Sequence, residues 1–175
     1  MDAVIKKPGR WRRRAYEGIA ILAVFVVMQA WFARGAVTGP APPLQGVTPN
    51  AEVIALTNKP TVVHFWATWC GICAAMDDNV DALNGSYDVI SVALSSGDGA
   101  AVNQHLRERD LSFPVLMDEQ GVNAARWGVR GVPTTFLVSA DGQVQQVTVG
   151  YSTRIGLYAR LWYLQLRDRW DAVAG

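Results

Sequence analysis

The chain has two cysteines, and they stand three residues apart as Cys70-Gly-Ile-Cys73. They lie where one periodicity gives way to another. Thr61-Val-Val-His-Phe-Trp66 is β-branched or aromatic almost throughout and reads as a buried strand. Cys73, Met76, Val80 and Leu83 then follow at helical spacing. Two cysteines cannot staple a core-poor scaffold, and they are too few for a four-cysteine zinc site. The fold must rest on its own apolar core, and 50% hydrophobic residues in a 175-residue chain can supply one.

Beyond this junction the strand and helix patterns keep alternating. Val89–Leu94 reads as a second central strand, and Asp98 as the cap of a helix reaching about Arg109 with Val102 and Leu106 inward. Val115–Met117 predicts a short strand and Asn123–Trp127 a helical turn. Thr134–Ser139 and Val144–Val149, joined through Asp141-Gly142, carry a hairpin signal. Thr153–Arg169 reads as an amphipathic helix with Ile155, Tyr158, Leu161, Trp162 and Leu166 apolar. This order predicts an α/β fold, a mixed β-sheet flanked by helices.

The N-terminal region has a different character. Residues 1–17 hold six basic residues against Asp2 and Glu17, while the remainder holds ten basic and thirteen acidic ones. That excludes a basic nucleic-acid-binding body, and no nucleic-acid partner is expected. Gly18–Ala33 is uncharged, and the 19 residues between Arg14 and Arg34 span about 28 Å as a helix, close to a hydrocarbon core of about 30 Å. A charged start and an apolar stretch also define a cleaved signal. However, Arg34 stands two before Ala36 and Trp31 two before Ala33, so no small-x-small site follows, which favours a retained anchor. The expected organisation is a cytoplasmic basic tail (1–17), a transmembrane anchor (18–36), a proline-rich extended linker (37–50, four of the eight prolines) and a domain over 51–175. The anchor would be single-pass in the inner membrane, with the domain in the periplasm or an equivalent extracytoplasmic space.

At the junction itself, the strand-to-helix handover puts Cys70 at a helix N-terminus. Unpaired backbone N–H groups and the helix dipole there favour thiolate over thiol. Cys73, one turn in, sits beneath and can attack a mixed disulfide on Cys70, making a reversible disulfide exchanger. A static bridge would close too small a loop to constrain the unfolded chain much. Cu(I) or Zn binding would need outside ligands or a second chain. Covalent haem attachment would need a histidine at position 74, where Ala74 stands.

Phe65-Trp-Ala-Thr-Trp-Cys-x-x-Cys73, followed about sixty residues later by Gly131-Val-Pro-Thr-Thr-Phe136, resembles the thioredoxin superfamily. The layout is most similar to its TlpA-like and ScsD-like membrane-anchored branches, and the resemblance covers about residues 51–170. It implies a thioredoxin fold preceded by one N-terminal transmembrane helix, and a protein disulfide oxidoreductase. It further implies that Pro133 is a cis-proline facing the cysteines and that Val132 offers backbone hydrogen bonds to an extended substrate. Trp66 and Trp69 are expected to give packing and a hydrophobic rim to the substrate site. His64 takes the position where thioredoxins commonly place a buried acid that exchanges protons with the resolving cysteine. The implied partners are protein thiols and disulfides and a transmembrane electron donor, with no cofactor and no metal. By family analogy the reducing direction is favoured; the competing class is an anchored copper chaperone using the cysteine pair as ligands. Two departures stand out. Gly71-Ile72 replaces the Gly-Pro of general thioredoxins, and Thr134-Thr135 stand where cytochrome c maturation relatives often carry an acid. Arg126 and Arg130 read as solvated loop charges, and His105 as exposed on a polar helix face.

Overall fold

The computed structural model describes residues 10–50 and 59–174. The first nine residues of the expected tail, and the expected domain start at residue 51, lie outside the described residues. The chain forms two units, one ending at Arg34 and the other beginning at Gly35.

Among the described residues the first unit holds one helix, α1 (Arg10–Phe32). Its Arg13–Trp31 stretch is long and apolar enough to cross a membrane, which by length and composition suits an anchor or a signal segment. Glu17, the only acid between Arg14 and Arg34, is paired with Arg13 at 3.0 Å.

In the second unit β1 (Gly39–Pro40), β2 (Thr61–Trp66), β3 (Asp88–Leu94), β4 (Val115–Asp118), β5 (Thr134–Val138) and β6 (Gln143–Val149) form one sheet in the order β1-β6-β5-β2-β3-β4. β2, β3 and β4 run parallel, with β5 antiparallel to β2 and β6 antiparallel to β5. The parallel crossovers pass through α2 (Gly71–Ala74) with α3 (Asp77–Asp81), and through α4 (Gly99–Glu108). α5 (Val122–Arg126) and α6 (Arg154–Ala174) complete the unit. This is the mixed sheet flanked by helices of the thioredoxin fold.

Every residue of β2 is buried, as a β-branched and aromatic strand covered on both faces requires. Val62 and Trp66 point into one core with Cys73, Met76, Val80, Leu83, Val102, Leu157 and Leu161. Val63 and Phe65 point into the other with Val92, Trp127 and Phe136. Asp98 caps α4 by accepting from Ala101 N at 2.9 Å, and Gly142 turns the β5–β6 hairpin at φ +77°.

Three expectations are corrected. The helix after the cysteines is broken into α2 and α3. On α6 the inward residues are Leu157, Leu161 and Leu164, whereas Ile155, Trp162 and Leu166 face outward. The proline-rich stretch 37–50 is extended, but along the domain rather than away from it. Val37 N donates to Trp127 O, β1 pairs with β6, Gln45 exchanges bonds with Asn123, and Val47 O accepts from Met117 N in β4.

Candidate active site

β2 ends at the carboxyl edge of the sheet, where parallel strands deliver loops and ligand sites gather. The chain turns there, Cys70 N donating to Ala67 O at 3.1 Å, and α2 begins with Cys70 as its N-cap. Cys70 and Cys73 are bonded as a disulfide, with Cα atoms 5.2 Å apart. Cys73 N donates to Cys70 Sγ at 3.2 Å, so the orphan amide of the helix's first turn is aimed at that sulfur. Cys70 keeps 9% of its surface and Cys73 none.

The Val132–Pro133 peptide bond is cis, and Val132 O lies 3.7 Å from Cys70 Sγ. Gly150 N donates to Pro133 O, so the tip of β6 supports this loop from behind. Trp69 is 65% exposed beside the cysteines, with its indole held by an Nε1 bond to Ser95 O at 3.0 Å. Ile72, between the cysteines, and Tyr151 are also exposed. Trp69 and Ile72, beside the cysteines in the chain, leave exposed apolar surface next to Cys70. Trp66 lies wholly in the core, edge-on to Phe113.

His64 is fully buried, its Nδ1 2.9 Å from Thr135 Oγ1, directly across the β2–β5 pairing. Its Nε2 has no hydrogen-bond partner among the described residues. Burial lowers its pKa from 6.5 to about 3, so the ring is neutral at physiological pH. Thr135 carries no motif signal of its own; the antiparallel register of Thr61–Trp66 against Thr134–Val138 is what places it opposite His64.

His105 is not exposed as expected. Its side chain keeps 15% of its surface, its ring lies 5.0 Å from that of Trp66, and Nε2 is 3.2 Å from Asp77 Oδ2. Arg109 Nε approaches the same oxygen at 2.9 Å as an ion pair outside hydrogen-bond geometry, and its Nη2 donates to Ala74 O. Burial pushes the fully enclosed Asp77 carboxyl above its usual range, against the opposing pull of His105 and Arg109. Neither Asp77 nor Arg109 carries a motif signal, because their meeting depends on how α4 packs. Arg126 and Arg130 are both exposed.

The redoxin family model matches residues 45–159. A thioredoxin-like protein of Haemophilus influenzae is 39% identical over 123 residues, covering 70% of this chain and 72% of its own length. The thiol-disulfide oxidoreductase ResA of Oceanobacillus iheyensis is 30% identical over 109 residues, 59% of this chain and 56% of its own length. Among solved structures, a secreted disulfide oxidoreductase of Mycobacterium tuberculosis homologous to DsbE of Escherichia coli superposes with a TM-score of 0.59 at 26% identity, covering 69% of this chain and 96% of its own. With the matched region enclosing the Cys70–Cys73 disulfide and the cis-proline loop, the chain belongs to the redoxin family of thioredoxin-like thiol–disulfide oxidoreductases.

Proposed function

We propose that this oxidoreductase is anchored through α1 and exchanges disulfides with protein substrates on the extracytoplasmic side of the membrane, Cys70 attacking and Cys73 resolving. The observation that carries the division of labour is the difference in exposure within one disulfide. Cys70 meets solvent at a helix N-terminus, while Cys73 is sealed beneath it. In the reducing direction, the Cys70 thiolate attacks a substrate disulfide and expels one substrate sulfur. Cys73 then attacks Cys70, forming the intramolecular bond and expelling the second. Val132 presents backbone and Trp69 an apolar face to an extended segment beside the disulfide. His64 takes up the Cys73 proton transiently and hands it on, since a base of such low pKa does not hold it. Returning the enzyme to its dithiol form requires electrons carried through the membrane by a partner protein. The extracytoplasmic placement is supported by the basic residues ahead of the apolar helix and by the secreted mycobacterial relative.

The roles are separated by trapping. Cys73→Ser should accumulate covalent complexes with partner proteins, resolvable by reductant on a gel, and Cys70→Ser should not. Equal trapping by both variants, or trapping by Cys70→Ser alone, would refute the assignment.

A further inference from the structure

Nothing in Ala74-Ala75-Met76-Asp77-Asp78 breaks a helix by itself: it holds no glycine or proline, and alanine is the strongest helix former. Yet α2 stops at Ala74 and α3 starts at Asp77. The cause lies on another element. Ala74 O, which an unbroken helix would offer to the Asp78 amide, is taken by Arg109 Nη2. Asp77 turns its carboxylate inward to His105 and Arg109, which stand one turn apart at the end of α4. The His105 ring in turn rests on Trp66 of β2. At the break, Cys73 O accepts from Met76 N at 2.8 Å, an i+3 bond that tightens the turn carrying the sulfur. Enclosing a carboxylate is expensive unless charged and polar partners compensate it, and here both partners come from one helix.

We propose that Asp77, His105 and Arg109 form a clip that positions Cys73 for the resolving step by ending its helix one residue beyond it. The proposal rests on the reading that Cys73 resolves. In that step the Cys73 thiolate attacks the Cys70 sulfur of the mixed disulfide. The Cys70–Cys73 bond forms, the bond from Cys70 to the substrate sulfur breaks, and the departing sulfur leaves with the electron pair and is protonated by water. The attack is intramolecular, so its rate depends on how closely Cys73 is held in line, and a displacement of about 1 Å can cost about 100-fold. Asp77, His105 and Arg109 are positioning residues, acting through the helix rather than on substrate.

The test uses the reduced full-length chain in detergent, mixed with an aromatic disulfide that releases a coloured thiolate. The first release reports attack by Cys70 and the second reports resolution by Cys73. Arg109→Met removes both of its contacts, Asp77→Asn keeps the shape without the charge, and Arg109→Lys keeps a charge near Asp77 but has no fork to reach Ala74 O as well. The first phase should stay within about twofold in all three. The second should slow by about tenfold or more in Arg109→Met. Arg109→Lys should recover thermal stability without recovering the second phase, which a purely structural role would not produce. Second phases that match the unmodified chain, or that recover along with stability, would overturn the clip. If Arg109→Met does not fold, the other two variants carry the same comparison. A normal chain that shows no second phase, or a Cys73→Ser variant that keeps one, would overturn the division of labour itself and the clip with it.

Discussion

At His64 the cost of burial becomes a dependence of stability on pH. The unfolded chain accepts a proton on this ring below about 6.5, whereas the folded chain refuses it until about pH 3. Within that window the unfolded state binds more protons, so stability falls as pH falls; above 6.5 the ring is neutral in both states and contributes nothing. The slope is at most about 1.4 kcal/mol per pH unit. His64→Asn should flatten this limb, so that urea unfolding at pH 5 and pH 7 differs less in the variant than in the unmodified chain. Equal losses would show that the folded protein protonates His64 in this range. The same variant addresses its chemical role: resolution near neutral pH should slow while attack by Cys70 is kept. An unchanged resolution rate and pH profile would leave His64 as core packing.

Among the elements, the seam between residues 35–37 and the end of α5 has almost no slack. Gly128 adopts φ +66°, and a Cβ there would come within 1.8 Å of Gly35 O, a backbone atom that cannot rotate away. Gly128→Ala should therefore lower stability by about 2 kcal/mol or more, through overpacking together with backbone strain. Cleavage by thermolysin should then begin in residues 36–44, which normally lie against the Trp127 core. Unchanged cleavage there would mean that the seam is held elsewhere. The elements themselves differ in how far they could be read from sequence. Thr61–Trp66 and Val89–Leu94 were legible because strands buried on both faces allow few other patterns. The inward side of α6 was not, because Ile155, Trp162 and Leu166 satisfy one helical phase and Leu157, Leu161 and Leu164 another, and only the sheet chooses between them. The α2–α3 break was invisible for a related reason: the residue that causes it is 35 positions away from Ala74. The cysteine pair and the proline loop could be found because local spacing carries their chemistry. The Asp77 cluster could not, because tertiary packing creates it.

On the scale of the whole molecule, the proposed orientation makes a simple claim about compartments. Alkaline phosphatase needs disulfides to be active, so a fusion placed after Gly175 should be active if the domain is extracytoplasmic. The protein should also stay with membranes through carbonate extraction. An inactive fusion would reverse the orientation, and a soluble product beginning just after α1 would show a cleaved signal in place of an anchor.

The stretch from residue 37 to 50 has a consequence for the company this enzyme keeps. It runs from one outer strand of the sheet, where Gly39 and Pro40 lie against β6, to the other, where Val47 O takes the Met117 amide of β4. Pro40 has no N–H to give to a further strand, and β4 is only four residues long. An unpaired strand of another chain adds readily to any free sheet edge. One proline-rich segment lies along both margins of this sheet, so a strand adding at either edge would first have to displace it.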